Sequence, residues 1–435
     1  GGGGGDASTA PTATRPRLYF LDNLKSSLIF VVVLHHTTAH FCGKVYVGLY
    51  HNIFSNIFAP WLMLMNQSYF MCLFFFVSAY FTPASLDKKG VRMFLIDKYK
   101  RLGIPFLFYF FILGPANDAA FFYLFIGYQR TDEIKYSYSP KSMLCWFLGW
   151  LCLFNTVYCL VERSGTSSAS SDSSDSSTPS DARWERPSLW VMMALGLPLG
   201  VVQGILMLSL SNFAGMPITV GSLPFDLVCF AAGVAAQRKR WLDGDAMASI
   251  SGAEVVAGRV CSVLAAVVLF AALALMWHTP TLSLLGLPAN DCDPFDGAVT
   301  KPSTASAGAV MVFAVFLGVA CMVFLFTIVE LFHRYCNFRT AATDVFSQAA
   351  YTVYLIHPAI LGFVSWVVII VIEKHTGSTI RFQPGAFSST SCIGGGEPGA
   401  GMIWVAFIAT LLLTQLISWP AAFWLRRLPG LRQIL

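Results

Sequence analysis

Residues 306–332 read SAGAVMVFAVFLGVACMVFLFTIVELF, with one ionisable side chain, Glu330, in 27 residues. As an α-helix rising 1.5 Å per residue, such a run extends about 40 Å. That exceeds the roughly 30 Å hydrocarbon core of a bilayer. Comparable runs recur near 24–42, 61–81, 103–126, 142–162, 188–210, 219–237, 255–277, 345–372 and 401–425. Pro83, Pro140, Pro187 and Pro280 fall at run boundaries, and Pro105 lies in the first turn of the third run, all places where proline is tolerated. The fold expected is therefore all-α, a polytopic membrane bundle of about ten transmembrane helices.

Composition agrees. Of 435 residues, 56% are hydrophobic and 12% charged, with mean hydropathy +0.63. Soluble domains carry about 25% charged residues. The 37 Phe add apolar bulk, and Trp and Tyr gather near run ends, as an interfacial belt requires. The net charge of +5 comes without a basic–aromatic run, so no nucleic-acid partner is expected. The 11 Cys show no CxxC pair and no zinc-like spacing.

Lys and Arg bias sets the expected topology. With a cytoplasmic N-terminus and ten alternating spans, 21 of the 28 Lys and Arg fall inside and 7 outside. Both termini are then cytoplasmic. Residues 1–17 read as a disordered tail without an initiator Met, the mark of a processed or truncated product. No signal-peptide pattern follows, so the first run is expected to be a retained helix. Residues 18–435 form one transmembrane domain, interrupted over 163–186 by a disordered cytoplasmic loop containing SGTSSASSDSSDSSTPSD (164–181). That loop serves as a plain linker or as a phosphorylation target. Two outward loops each hold one cysteine, Cys292 and Cys392, which could pair in an oxidising compartment. The membrane itself, plasma membrane or endomembrane, is not resolved by the sequence.

The chemistry concentrates in LDNLKSSLIFVVVLHHTTAH (21–40). Ionisable residues at membrane depth are expensive and mark function. Lys25 and His36 are eleven residues apart, close to three helical turns and about 16 Å along one face. His40 follows one turn later, and His35 sits about 100° away. A neutral imidazole there can take a hydroxyl proton as general base, although a His can equally bond a neighbouring helix. His36 and His40 have an i, i+4 spacing, but no carboxylate stands near them on that helix, so no metal site is assigned. Lys25 also fits a snorkelling anchor.

The second run ends in FFFVSAYFTP (74–83) and continues into DKKGVRMFLIDKYKRLGIPF (87–106). Lys98 and Arg101 are three apart, on one face of a helix starting there. With Lys88, Lys89, Arg92 and Lys100 they make a cationic patch suited to anionic lipid or to a polyphosphate ligand. Tyr351, Tyr354 and His357 line one side of a later run, where Pro358 implies a kink and His357 reads first as a structural polar contact. No Walker A loop, GxGxxG, GxSxG or zincin motif occurs, which excludes the chemistries those motifs carry.

These blocks resemble the acyltransferase 3 family of multi-pass membrane O-acyltransferases. RPRLYFLDNLKSSLIFVVVLHH (15–36) is similar to its opening Leu-Asp-x-Leu-Arg block followed by His, with the same separation as Lys25 and His36. FFFVSAYFTP resembles Phe-Phe-x-Ser-Gly-Tyr-Phe, and DKYKRLGIP (97–105) resembles Arg-x-x-Arg-Leu-x-x-Pro. Weaker echoes are WFLGWL (146–151), FDLVCFAAGVAAQRKRW (225–241), AAYTVYLIHP (349–358) and RRLPGLRQIL (426–435). Lys25 and Lys98 stand where the family has Arg, and Ala79 where it has Gly, a change that would crowd a close helix approach. No appended hydrolase-like domain is expected after the tenth run.

The resemblance implies a ten-helix fold and transfer of an acyl group, often acetyl, from cytoplasmic acyl-CoA to a hydroxyl of a carbohydrate or other acceptor. Acyl-CoA would be a co-substrate, with no permanently bound cofactor. His36 would be catalytic with Lys25 as its basic partner, and Lys98 and Arg101 would bind CoA. Two rivals remain. A secondary transporter or proton-coupled carrier also uses intramembrane His and Lys, but no internal repeat is evident, and Asp226 is the notable acidic residue. A catalytically inactive relative would bind acyl-CoA without turnover.

Overall fold

The computed structural model describes residues 17–41, 54–121, 123, 138, 140, 145–169, 186–209, 212–213, 216–217, 223–278, 304–377, 379–382, 390–393 and 400–429. The expected tail, most of the Ser-rich loop and Cys292 lie outside them, so the disulfide expectation falls outside as well.

The described chain is a helix bundle. Its elements are α1 (Tyr19–Ala39), α2 (Ala59–Tyr80), α3 (Thr82–Lys98), α4 (Ile104–Phe108), α5 (Gly114–Phe121), α6 (Trp146–Ala169), α7 (Leu189–Ser209), α8 (Leu223–Arg238), α9 (Gly244–Ala248), α10 (Gly252–His278), α11 (Thr304–Tyr335), α12 (Ala341–Thr376) and α13 (Ala400–Leu425). Two antiparallel ladders sit in connections: β1 (Asn212–Phe213) with β2 (Met216–Pro217), and β3 (Thr379–Phe382) with β4 (Thr390–Ile393). Among the described residues, the apolar runs fall mainly in helix, α or π. Among the described residues, six helices are long and apolar enough to cross a membrane: Ala59–Tyr80, Leu189–Leu208, Gly252–Ala274, Val310–Tyr335, Ala341–Thr376 and Gly401–Leu425. α8, at 16 residues, falls short of the usual span.

Two expectations change. The basic stretch 82–98 is helix, kinked at Gly90 (φ 71°), a conformation that glycine adopts without steric cost. The third run is not a regular α-helix. It alternates π turns at Tyr99–Gly103 and Tyr109–Leu113 with α4 and α5.

α1 packs against α2, α12 and α13; α2 packs against α8 and α11; and α11 packs against α7 and α10. The α1 end is pinned where Asn23 Nδ2 donates to the Cys336 and Phe338 carbonyls at 2.7 and 2.9 Å. Phe30, Phe346 and Trp419 then close the α1–α12–α13 junction, with Phe30 stacked on Trp419 at 4.5 Å. Without water to drive apolar association, membrane helices gain from close backbone approach at small residues. A Cβ added at Gly200 would lie 2.5 Å from Val315 Cα, and one at Gly318 would lie 2.6 Å from the Gly196 carbonyl oxygen. Ala79 does not force α2 and α8 apart, because Gly233 faces it and Phe76; a Cβ at Gly233 would meet Ala79 Cβ at 2.9 Å. On α10, Val256, Val260, Val263, Leu264 and Val267 point outward, the apolar surface a bilayer accepts.

Candidate active site

α1 and α12 meet deep in the bundle through two histidines. The His36 ring stacks on the His357 ring, centroids 5.3 Å apart and planes 27° from parallel. His35 meets His36 edge-on at 5.2 Å and touches Phe70 at 5.1 Å. His35 Nδ1 is buried without a hydrogen-bond partner among the described residues. One turn beyond His36, His40 Nδ1 lies 3.0 Å from Ser365 Oγ on α12. The seam thus carries two polar rungs, His36–His357 and His40–Ser365.

The tautomer of His357 follows from its neighbour. Pro358 lies inside α12 and has no N–H to offer the Tyr354 carbonyl one turn back. His357 Nδ1 takes that place, donating to Tyr354 O at 2.9 Å and to Val353 O at 3.2 Å. Both partners are acceptors, so Nδ1 carries the proton and Nε2 keeps its lone pair. Nε2 is buried with no hydrogen-bond partner among the described residues. A fully buried imidazole with a fixed basic nitrogen, stacked on a second imidazole, can accept or pass a proton.

The basic residues stand apart from this pair. Lys25 lies half-buried on α1, three turns from His36, with Asp22, Arg17 and Arg426 supplying the charges around it. Between Lys98 and Arg101 the winding changes to a π turn at Tyr99–Gly103. Lys98 is half-buried, its Nζ 5.2 Å above the Phe94 ring. Burial lowers its ammonium to about 8. Arg101 is 64% exposed, 3.6 Å from Asp97. Lys89 pairs with Asp97, and that hydrogen bond holds the Asp97 carboxyl below its usual range. Arg238 is tied to Asp87 at 2.6 and 2.9 Å and to Glu162 at 3.0 Å. Lys88, Arg92, Lys100 and Arg101 are exposed on the same segment.

A hydrogen bond links the two regions. The Tyr351 hydroxyl donates to the Arg101 carbonyl at 2.6 Å. A π turn shifts the backbone ladder by one residue and leaves a carbonyl to be satisfied elsewhere. Tyr351 precedes His357 by six residues of α12, about 9 Å along the axis.

Spacing singled out His36 as a candidate. It did not single out the contact with His357, and Ser365 gave no signal as a lone serine in an apolar run. The His-Pro dipeptide was the available clue, since a proline in a helix frees a carbonyl that the preceding side chain can claim.

A bundle of long apolar helices of this kind belongs to the class of multi-pass integral membrane proteins. The family model described as an acyltransferase domain matches residues 18–425, and the chain belongs to this acyltransferase 3 family of acyltransferases. Comparison with curated proteins and with solved structures finds no match.

Proposed function

We propose that this acyltransferase moves an acyl group, acetyl in the first instance, from acyl-CoA to a hydroxyl of a carbohydrate or other acceptor. The observation that carries the reading is the stacked His36–His357 pair, whose fixed tautomer leaves His357 Nε2 as a buried base. His36, facing that nitrogen's ring, takes the acceptor's hydroxyl proton. Lys98 and Arg101 receive the CoA phosphates, Arg101 through its planar fork and Lys98 as a point charge. Lys25 adds positive charge at the same mouth. The Tyr351–Arg101 contact, on the helix that carries His357, supports a donor site linked to the histidines. In this reading ten spans cross the bilayer, and both termini and the basic patch face the cytoplasm, where acyl-CoA is found.

The test uses purified protein in liposomes with radiolabelled acetyl-CoA, wild type beside His36→Ala. General-base loss lowers turnover about 10²- to 10⁴-fold while insertion stays intact. An unchanged rate in His36→Ala would sink the assignment. Lys98→Ala and Arg101→Ala should weaken acetyl-CoA binding; undiminished binding in both removes them from the donor site.

A further inference from the structure

We infer that Ser365 is a nucleophile that carries the acyl group between donor and acceptor, with His40 as its proton shuttle. The inference rests on the acyltransferase reading above and adds a covalent intermediate to it.

Hydroxyls near the histidines fall into two kinds. Thr37 and Thr38 donate to the Val33 and Leu34 carbonyls of their own helix, each at 2.8 Å. Those bonds hold their hydroxyls against the backbone. Ser365 instead sits 3.0 Å from an imidazole nitrogen of another helix. With the His40 proton on Nε2, Nδ1 accepts the Ser365 O–H, the arrangement that activates a serine. Ser365 is fully buried, so water is kept from an ester formed there. His40 stands one turn from His36 on the same face of α1, about 6 Å along the axis. The rung therefore continues the seam that the histidine pair begins, on the side away from Lys25. A direct transfer needs thioester and acceptor at one point. Two rungs on one seam allow them to arrive from opposite ends.

The chemistry balances. Ser365 Oγ attacks the thioester carbonyl carbon, the C–Oγ bond forms and the C–S bond breaks. The hydroxyl proton passes to His40 Nδ1 and on to the departing thiolate, which leaves as the free thiol. In the second half the acceptor hydroxyl gives its proton to His36 and attacks the ester carbonyl. The C–Oγ bond breaks, and Oγ regains a proton by way of His36 and His40. The sum is acyl-CoA plus alcohol giving ester plus CoA thiol.

The experiment incubates the full chain in liposomes with radiolabelled acetyl-CoA without acceptor, quenches in acid, and maps label by peptide mass spectrometry. The expected result is label on the peptide containing Ser365, absent in Ser365→Ala. Ser365→Cys should carry label that neutral hydroxylamine removes, as a thioester does. Thermal melting of both variants checks that they fold. Transfer in Ser365→Ala within about twofold of wild type, or label on another residue, overturns the relay while leaving the His36 reading in place. His36-independent consumption of acetyl-CoA would instead remove the reading on which the relay rests.

Discussion

Two seams of this bundle solve the same packing problem in opposite ways. Along α7–α11, Gly196, Gly200 and Gly318 bring backbones so close that a single added Cβ would collide with main-chain atoms. Along α1–α12, bulky imidazoles and a serine fill the gap, stacked at 5.3 Å and hydrogen-bonded at 3.0 Å. Close approach gains dispersion and leaves no room for a reacting group. The wider seam gives up that contact and keeps titratable side chains at membrane depth, where they persist only for a function. The difference separates the two seams more sharply than burial does, since both are buried.

The comparison can be broken most directly at His357. Replacing it with Ala leaves His36 without its stacking partner, and misplacement of a reacting group costs about 10²-fold. Turnover of radiolabelled acetyl-CoA should fall by that order while the melting temperature holds. A fall in melting temperature without a loss of turnover per folded molecule would make His357 a packing residue.

Gly200→Val tests the other seam. Overpacking a close helix contact costs about 1–3 kcal/mol. Detergent-solubilised protein should melt earlier, with acyl transfer per folded molecule nearly unchanged. Wild-type stability in that variant would mean that the α7–α11 approach is not as close as its glycines indicate.

Pro358→Ala sharpens the tautomer argument. It returns an N–H to the Tyr354 carbonyl and so competes with His357 Nδ1. A several-fold loss of turnover is expected, with helix content intact. No loss would separate the tautomer from the reaction.

The smallest effect concerns the donor end. Lys98 carries its charge below about pH 8 and loses it above, so the apparent KM for acetyl-CoA should rise, less than tenfold, as pH passes through that value. Lys98→Arg should remove the inflection, because a guanidinium stays charged. The same inflection in Lys98→Arg would assign it to another group.

Much of this was readable in the chain. Runs such as 306–332 and 345–372 fix helices because no other structure satisfies every backbone group in hydrocarbon without closing a barrel. The eleven-residue spacing of Lys25 and His36 put both on one face, and the blocks at 15–36, 74–83 and 97–105 carried the family. The expectation for Lys98 and Arg101 assumed a regular α-helix, whereas the winding is π at Tyr99–Gly103, a change that residue types do not announce. The crowding expected from Ala79 was absent because Gly233, over 150 residues away, supplied the space.

By itself the sequence determined the class of fold and the family, since each follows from local periodicity and short-range spacing, and it singled out His36 as a candidate. Only the tertiary structure decided that His357 stacks on His36, that Ser365 meets His40, and that Tyr351 reaches the Arg101 carbonyl. Each of those contacts joins residues 250 or more positions apart. Their partners are set by how α1 and α12 cross and how the 99–103 turn winds, quantities that no single helix encodes.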